Sequence, residues 1–186
     1  TQHSPEEIKE LSKFNKPIFY DGKFFDIKNT LVESIKSLKE LNVSYATIHL
    51  LNGIDALKAA NEAAQEININ LLGVSVLTSF RDKDLFDLGF NNKVDDQVKK
   101  LIKIAIDAKL YGVICSPLET KMIKEIDPKL KCFTPGIRLG VAKDDQKRTM
   151  TASEAVKEGS DCLIIGRPIT KGDPKKNIKK IISSIE

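Results

Sequence analysis

Asp21 and Lys23 stand two residues apart at the end of an apolar run, Ile18-Phe19-Tyr20, and Asp26 follows three residues later. Residues i and i+2 of a strand project from the same face, so the two charged side chains leave together. Asp26 falls where the strand should already have turned into a loop. Opposite charges at a buried strand end are costly unless they are paired or used. Used, such a set is placed for acid–base or electrostatic work. A bare D-x-K-x-x-D spacing is served as well by an ion pair in a surface turn.

A second group of residues suits an anion. Thr134-Pro135-Gly136-Ile137-Arg138 places a Pro-Gly turn at a strand end, and glycine there allows close approach to a ligand. Downstream come Asp144-Asp145-Gln146-Lys147-Arg148 and then Gly166-Arg167-Pro168-Ile169. Arg138 and Arg167 each offer a planar fork of donors that matches phosphate, and Gln146 offers an amide donor. Taken singly, each is weak, because Gly-Arg-Pro is a common turn. Thr78-Ser79 at another strand end reads as a cap or turn. His49 reads as a satisfied histidine at a strand end.

The whole string Asp21-Gly22-Lys23-Phe24-Phe25-Asp26-Ile27-Lys28-Asn29-Thr30 resembles the signature of the orotidine 5'-phosphate decarboxylase family, D-x-K-x-x-D-I-x-N-T. Asp21, Lys23, Asp26, Ile27, Asn29 and Thr30 match it. Gly22, Phe25 and Lys28 stand where an aliphatic residue, a histidine and a proline are usual.

The resemblance implies a (β/α)8 barrel that decarboxylates orotidine 5'-phosphate to uridine 5'-monophosphate with neither metal nor organic cofactor. It implies that Lys23 stabilises the developing negative charge and delivers the proton, and that Asp21 keeps Lys23 charged. It further implies a homodimer in which Asp26 serves the partner's site. Ile27, Asn29 and Thr30 would bind substrate, and Thr78 would lie by the pyrimidine, with the loop after it closing over the base. Arg138, Gln146, Gly166 and Arg167 would form the phosphate grip. The rivals are a related barrel that decarboxylates or cleaves keto-sugar phosphates with Mg2+, and a non-catalytic binder of phosphate ligands on the same fold. The Ile-Lys-Asn-Thr tail and the Asp-Gln-Lys-Arg loop argue against the first. The second has no need of Asp21, Lys23 and Asp26 together.

The elements that must position these residues follow from periodicity. Strands are expected at 17–22, 45–51, 70–77, 111–115, 131–134 and 161–165, with helices near 31–41, 54–66, 95–109 and 119–126 and from 174 on. A loop or short helix rich in charge fills 79–94. Thr151-Ala152-Ser153-Glu154 reads as a capping box that starts another helix. A helix is also expected from about Ser4 to Asn15. Strands alternating with helices, and reading as continuous Val/Ile/Leu runs, point to βαβ units around a parallel sheet.

Six such units are present where a closed barrel has eight. The expectation is one barrel domain over 1–186 that holds the third to eighth strands, with the first two upstream of Thr1. Roughly 30 to 45 residues would supply them, including the ribose-side Asp and second Lys that the resemblance calls for.

The 186 residues are 41% hydrophobic and 30% charged, a composition ordinary for one soluble domain. Aromatics do not interleave with basic residues, which speaks against nucleic acid, and the net charge of +4 favours a small anionic substrate. Cys115, Cys132 and Cys162, odd in number and without C-x-x-C spacing, read as reduced core thiols of a cytoplasmic protein. No apolar run reaches membrane-spanning length.

Overall fold

Apolar runs and helical periods alternate along the chain, and the computed structural model, which describes residues 5–138 and 148–185, turns them into strands and helices in the expected order. Helix α1 (Pro5–Leu11) closes in a 3-10 turn and reverses at Asn15, whose φ is 49°. Strand β1 (Phe19–Phe24) leads into α2 (Lys28–Ser37), then β2 (Tyr45–His49), α3 (Ile54–Glu66) and β3 (Asn70–Val74). The charged stretch that follows contains a short helix, α4 (Asp82–Asp87), ahead of α5 (Val94–Asp107). Next come β4 (Gly112–Ile114), α6 (Thr120–Ile126), β5 (Lys131–Thr134) and the two-residue strands β6 (Ile137–Arg138) and β7 (Met150–Thr151). The described chain ends with α7 (Ala152–Lys157), β8 (Cys162–Leu163), α8 (Arg167–Thr170) and α9 (Pro174–Ser183).

Several boundaries differ from those expected, each for a local reason. Helix α2 starts at Lys28 and not near Leu31, because the Leu31 N–H already donates to the Ile27 carbonyl at 2.9 Å. Asn29 and Thr30 therefore lie in its first turn. Strand β2 stops at His49, where Leu50–Asn52 tighten into a 3-10 turn. The capping box before α7 is present: Thr151 Oγ1 accepts from the Glu154 N–H at 3.3 Å, and Glu154 Oε2 accepts from the Thr151 N–H at 3.0 Å. Strands β6 and β7 pair in parallel with each other and were not foreseen, since two residues carry no period.

The packing divides the chain into two compact units. The first holds the residues through Val74 together with Leu101–Val113. In it β1, β2, β3 and the start of β4 are successive neighbours, with β1–β2 and β2–β3 parallel. Its core includes Ile48, Leu71 and Leu72 of the strands, Leu31 and Ile35 of α2, Leu57, Ala60 and Ala64 of α3, and Ile102 and Ala105 of α5, all buried. The run of alanines on α3 keeps that helix close to its neighbours.

The second unit holds Ser75–Lys100 and the residues from Ile114 on. Here β5 and β8 pair in parallel, Phe133 with Cys162 and Thr134 with Leu163. A core cluster gathers Ile137, Ala152, Ala155 and Ile181 with the partly buried Met150, Leu163, Ile165 and Ile169. Cys115 and Cys132 are buried free thiols, as expected, but Cys162 is exposed. Its position on β8 beside a single described neighbour, β5, leaves the side chain uncovered.

Asp161 fastens this unit at the entry to β8. Its carboxylate accepts from Lys124 Nζ at 2.6 Å, Lys131 Nζ at 2.9 Å and the Cys132 N–H at 2.8 Å. Burial alone would raise its pKa, but the Lys124, Cys132 and Lys131 hydrogen bonds outweigh it and hold the group below the usual carboxyl value of 3.8. A depressed folded pKa contributes stability that is present above the unfolded value and lost as pH falls through the folded one. Asp161→Asn should therefore cost about 1–2 kcal/mol at neutral pH, allowing for partial solvent screening. The gap in urea midpoint between variant and wild type should narrow as pH falls below the usual carboxyl value of 3.8. Equal midpoints at pH 7 would show that these bonds contribute nothing net.

Candidate active site

Strand β1 begins in step with β2, Phe19 opposite Tyr45 and Tyr20 opposite Ala46, and then slips, so that Phe24 lies opposite Ile48. The surplus length frees Asp21-Gly22-Lys23 from the ladder. Lys23 takes up the slack with a φ of 46°, a left-handed conformation that a lysine adopts only when its surroundings impose it. Three contacts do so. Lys23 Nζ pairs with Asp21 Oδ2. The Lys23 N–H donates to Thr47 Oγ1 at 2.8 Å, and Thr47 Oγ1 donates to Asp21 Oδ1 at 2.9 Å. Each carboxylate oxygen of Asp21 thus has its own donor. The side chains of Lys23 and Asp21 remain 45% and 47% exposed, so the pair escapes full desolvation and stays open to a ligand.

The loop after β1 is held by Asn52. Its Nδ2 donates to the carbonyls of Phe24 at 3.0 Å and His49 at 2.7 Å, and its Oδ1 accepts from the Asp26 N–H at 3.0 Å. Asp26 Oδ1 accepts from the Ile27 N–H at 2.7 Å. Among the described residues Asp26 makes no ion pair, so the structure does not join it to Lys23 and Asp21. Phe25 and Ile27 on either side are 63% and 75% exposed, and Asn29 and Thr30 are exposed as well.

His49 differs from expectation. Its Nδ1 is buried without a hydrogen-bond partner among the described residues, and its ring lies 5.7 Å from that of Phe25. Burial, and then the nearby Lys23 charge, lower its pKa below 6.5. A neutral imidazole tolerates an idle ring nitrogen at lower cost than an imidazolium would.

In the second unit Thr78 is a half-buried turn residue just past Val76 and Leu77. Those two carbonyls accept from Arg148 Nη2, at 3.4 Å and 3.0 Å, while Arg148 Nη1 pairs with Glu119 Oε1. Glu119 is 3% exposed, and its Oε2 accepts from the Ser116 N–H at 2.8 Å. Burial raises the Glu119 pKa, and the Arg148 guanidinium acts against that rise.

Gly136, at a φ of 84°, makes the turn before Arg138, a position any other residue would strain. Arg138 is 8% exposed and its Nη1 donates to the Ile137 carbonyl at 2.8 Å. Gly166 caps α8 and exposed Arg167 opens it. Ile137 and Ile165, each the residue before one of these features, share one core cluster. Gln146 lies outside the described residues.

Three holding elements escaped the sequence reading. Thr47 lies on the same strand face as His49, a signal that becomes useful only once β1 and β2 are known to be neighbours. Asn52 carries no pattern. Ser116-Pro117-Leu118-Glu119 has the spacing of a capping box, which the structure forms, but the Arg148 that completes the ion pair is 29 residues away.

Comparison with known proteins agrees on one family. The family model described as Orotidine 5'-phosphate decarboxylase / HUMPS family matches residues 1–181. An orotidine 5'-phosphate decarboxylase of Wolbachia pipientis subsp. Culex pipiens is 40% identical over 185 residues, 98% of this chain and 82% of its own. One from Lawsonia intracellularis is 41% identical, covering 100% of this chain and 83% of its own. The crystal structure of orotidine 5'-phosphate decarboxylase from Lactobacillus acidophilus superposes with a TM-score of 0.85 at 32% identity, over 98% of this chain and 81% of that one.

At the position where the signature usually carries an aliphatic residue, this chain has Gly22, and the packing accounts for it. Tyr20 and Phe24 stack across Gly22 with ring centroids 5.9 Å apart. A Cβ on Gly22 would sit 2.7 Å from Tyr20 Cε1 and 3.0 Å from Phe24 Cε2. Gly22→Val should force the rings apart and lower stability by about 1–3 kcal/mol in urea unfolding. A variant as stable as wild type would show that the rings have room to spare.

Proposed function

The chain belongs to the orotidine 5'-phosphate decarboxylase / HUMPS family, and on that premise we propose that the protein converts orotidine 5'-phosphate to uridine 5'-monophosphate and CO2 in pyrimidine biosynthesis. The observation that carries this reading is the half-exposed Lys23–Asp21 pair, locked to Thr47 at the end of β1.

Loss of CO2 from the pyrimidine leaves a carbanion with little delocalisation, so the protein must supply fixed charge where an electron sink is lacking. Lys23 provides it: its ammonium meets the negative charge that appears at the reacting carbon and then donates the proton that replaces the carboxylate. Asp21 holds the ammonium in place through their ion pair and disfavours a second carboxylate beside it, so that departure of CO2 relieves a like-charge contact. Neither step calls for a metal or an organic cofactor.

The remaining roles follow the signature. Arg138, Gln146, Gly166 and Arg167 hold the phosphate, Thr78 lies by the pyrimidine, and Ile27, Asn29 and Thr30 complete the substrate contacts. Binding energy gained at the phosphate raises the rate at the distant carbon when it is used to order the site. The protein acts as a homodimer, with Asp26 reaching the partner's site. Exposed Phe25 and Ile27 beside it support this, as an apolar surface suited to self-association. Strands β1, β2, β3, β4, β5 and β8 correspond to the third to eighth of a (β/α)8 barrel.

The test is the loss of orotidylate ultraviolet absorbance on adding the full-length protein in the presence of EDTA. Turnover should persist under chelation and vanish in Lys23→Ala, while the variant still binds uridine 5'-monophosphate. No orotidylate turnover, alongside EDTA-sensitive turnover of a keto-sugar phosphate with Mg2+, would favour the rival barrel reaction, and near wild-type turnover in Lys23→Ala would remove the lysine from the chemistry.

A further inference from the structure

Thr47 is fully buried on β2, and its single hydroxyl bonds both charged residues of the site at once. The two bonds constrain different things. The one donated to Asp21 Oδ1 fixes the carboxylate, leaving Oδ2 turned to the Lys23 ammonium. The one accepted from the Lys23 N–H fixes a backbone, the left-handed turn at φ 46° from which the lysine side chain springs. Where β1 slips against β2, Lys23 falls in the stretch skipped by the ladder. The Thr47 oxygen stands in for the strand carbonyl that the Lys23 N–H would otherwise need.

A hydroxyl can donate and accept simultaneously, and it does so here toward a carboxylate, which only accepts, and an amide N–H, which only donates. Valine has the shape of threonine and neither capacity. A satisfied core hydroxyl with no further part would typically bond one nearby backbone group. This one instead joins the carboxylate of one ion-pair residue to the backbone N–H of the other in the neighbouring strand, at the point where that strand leaves regular geometry.

We propose that Thr47 is the positioning residue of the charge pair, fixing where the Lys23 ammonium sits relative to the reacting carbon while touching no substrate itself. The inference rests on the decarboxylase reading given above. Misplacing a reacting group by about 1 Å costs on the order of 10²-fold in rate. The loss should fall on kcat, because nucleotide binding depends mainly on contacts elsewhere on the ligand.

The experiment compares wild type, Thr47→Val, Thr47→Cys and Thr47→Ser as full-length proteins, measuring kcat, KM for orotidine 5'-phosphate, affinity for uridine 5'-monophosphate, and Tm. Thr47→Val should lose on the order of 10²-fold in kcat, with KM and product affinity within about threefold of wild type. Thr47→Ser, which keeps both bonds, should recover to within about tenfold of wild type. Thr47→Cys keeps the volume with a weak donor and acceptor, and should fall between them. It serves in place of valine if that variant does not fold. The proposal is overturned if Val or Cys turns over like wild type. It is equally overturned if Ser loses as much kcat as Val, or if losses in kcat merely follow Tm across the series. Wild-type protein that leaves orotidylate untouched overturns the decarboxylase reading itself, and the proposal with it.

Discussion

An ammonium and a carboxylate held together at a half-exposed strand end are the constraint around which the first unit is arranged. Buried fully, Lys23 and Asp21 would carry a desolvation cost that one ion pair does not repay. Fully exposed, they would be screened and mobile. The structure takes the middle course and stiffens it: the slip of β1 against β2 turns both side chains out of the ladder, Thr47 holds them from the neighbouring strand, and Asn52 fixes the chain beyond. Gly22 belongs to the same arrangement, because the residue between the two charges must leave space for Tyr20 and Phe24 to stack on the opposite face.

The second unit solves a related problem with buried charge. Glu119 is nearly inaccessible, a costly place for a carboxylate, and Arg148 and the Ser116 N–H share its two oxygens. Arg148 in turn reaches the carbonyl of Leu77, the residue before Thr78, at 3.0 Å. Met150, two residues on, donates its N–H to the Gly136 carbonyl at 3.2 Å and carries β7 alongside β6 and Arg138. The polypeptide that carries Arg138 and the stretch that resumes at Arg148 are thus fastened to each other and to the Thr78 turn by buried polar groups. An unpaired Glu119 would be severely destabilising, which ties this anchorage to the stability of the unit.

Much of this was legible in the chain because the relevant signals are local. The alternation of apolar runs with helical periods located the six main strands and the long helices, and α3 was bounded at Ile54 and Glu66 as expected. The signature string located Asp21 and Lys23, whose same-face placement follows from the strand period. What escaped notice depends on which segments become neighbours. Thr47 matters through β1, Glu119 through Arg148, and Asn52 through Phe24, partners 24 to 29 residues apart. Strands β6 and β7 have two residues each, too few for a period to show. Cys162 reads as apolar core in a list of residues, yet its exposure depends on how many elements flank β8.

The central claim is that Asp21 and Lys23 act as one unit in the chemistry, and a double-mutant cycle on kcat/KM for orotidine 5'-phosphate tests it most directly. Asp21→Asn, Lys23→Met and the double variant are compared with wild type, with a folding control for each. If the carboxylate works by holding the lysine in place, it has nothing left to do once the lysine is gone. The double variant should then be no more impaired than the worse single one, within about threefold. Losses that multiply across the cycle would contradict this account and show two residues acting independently.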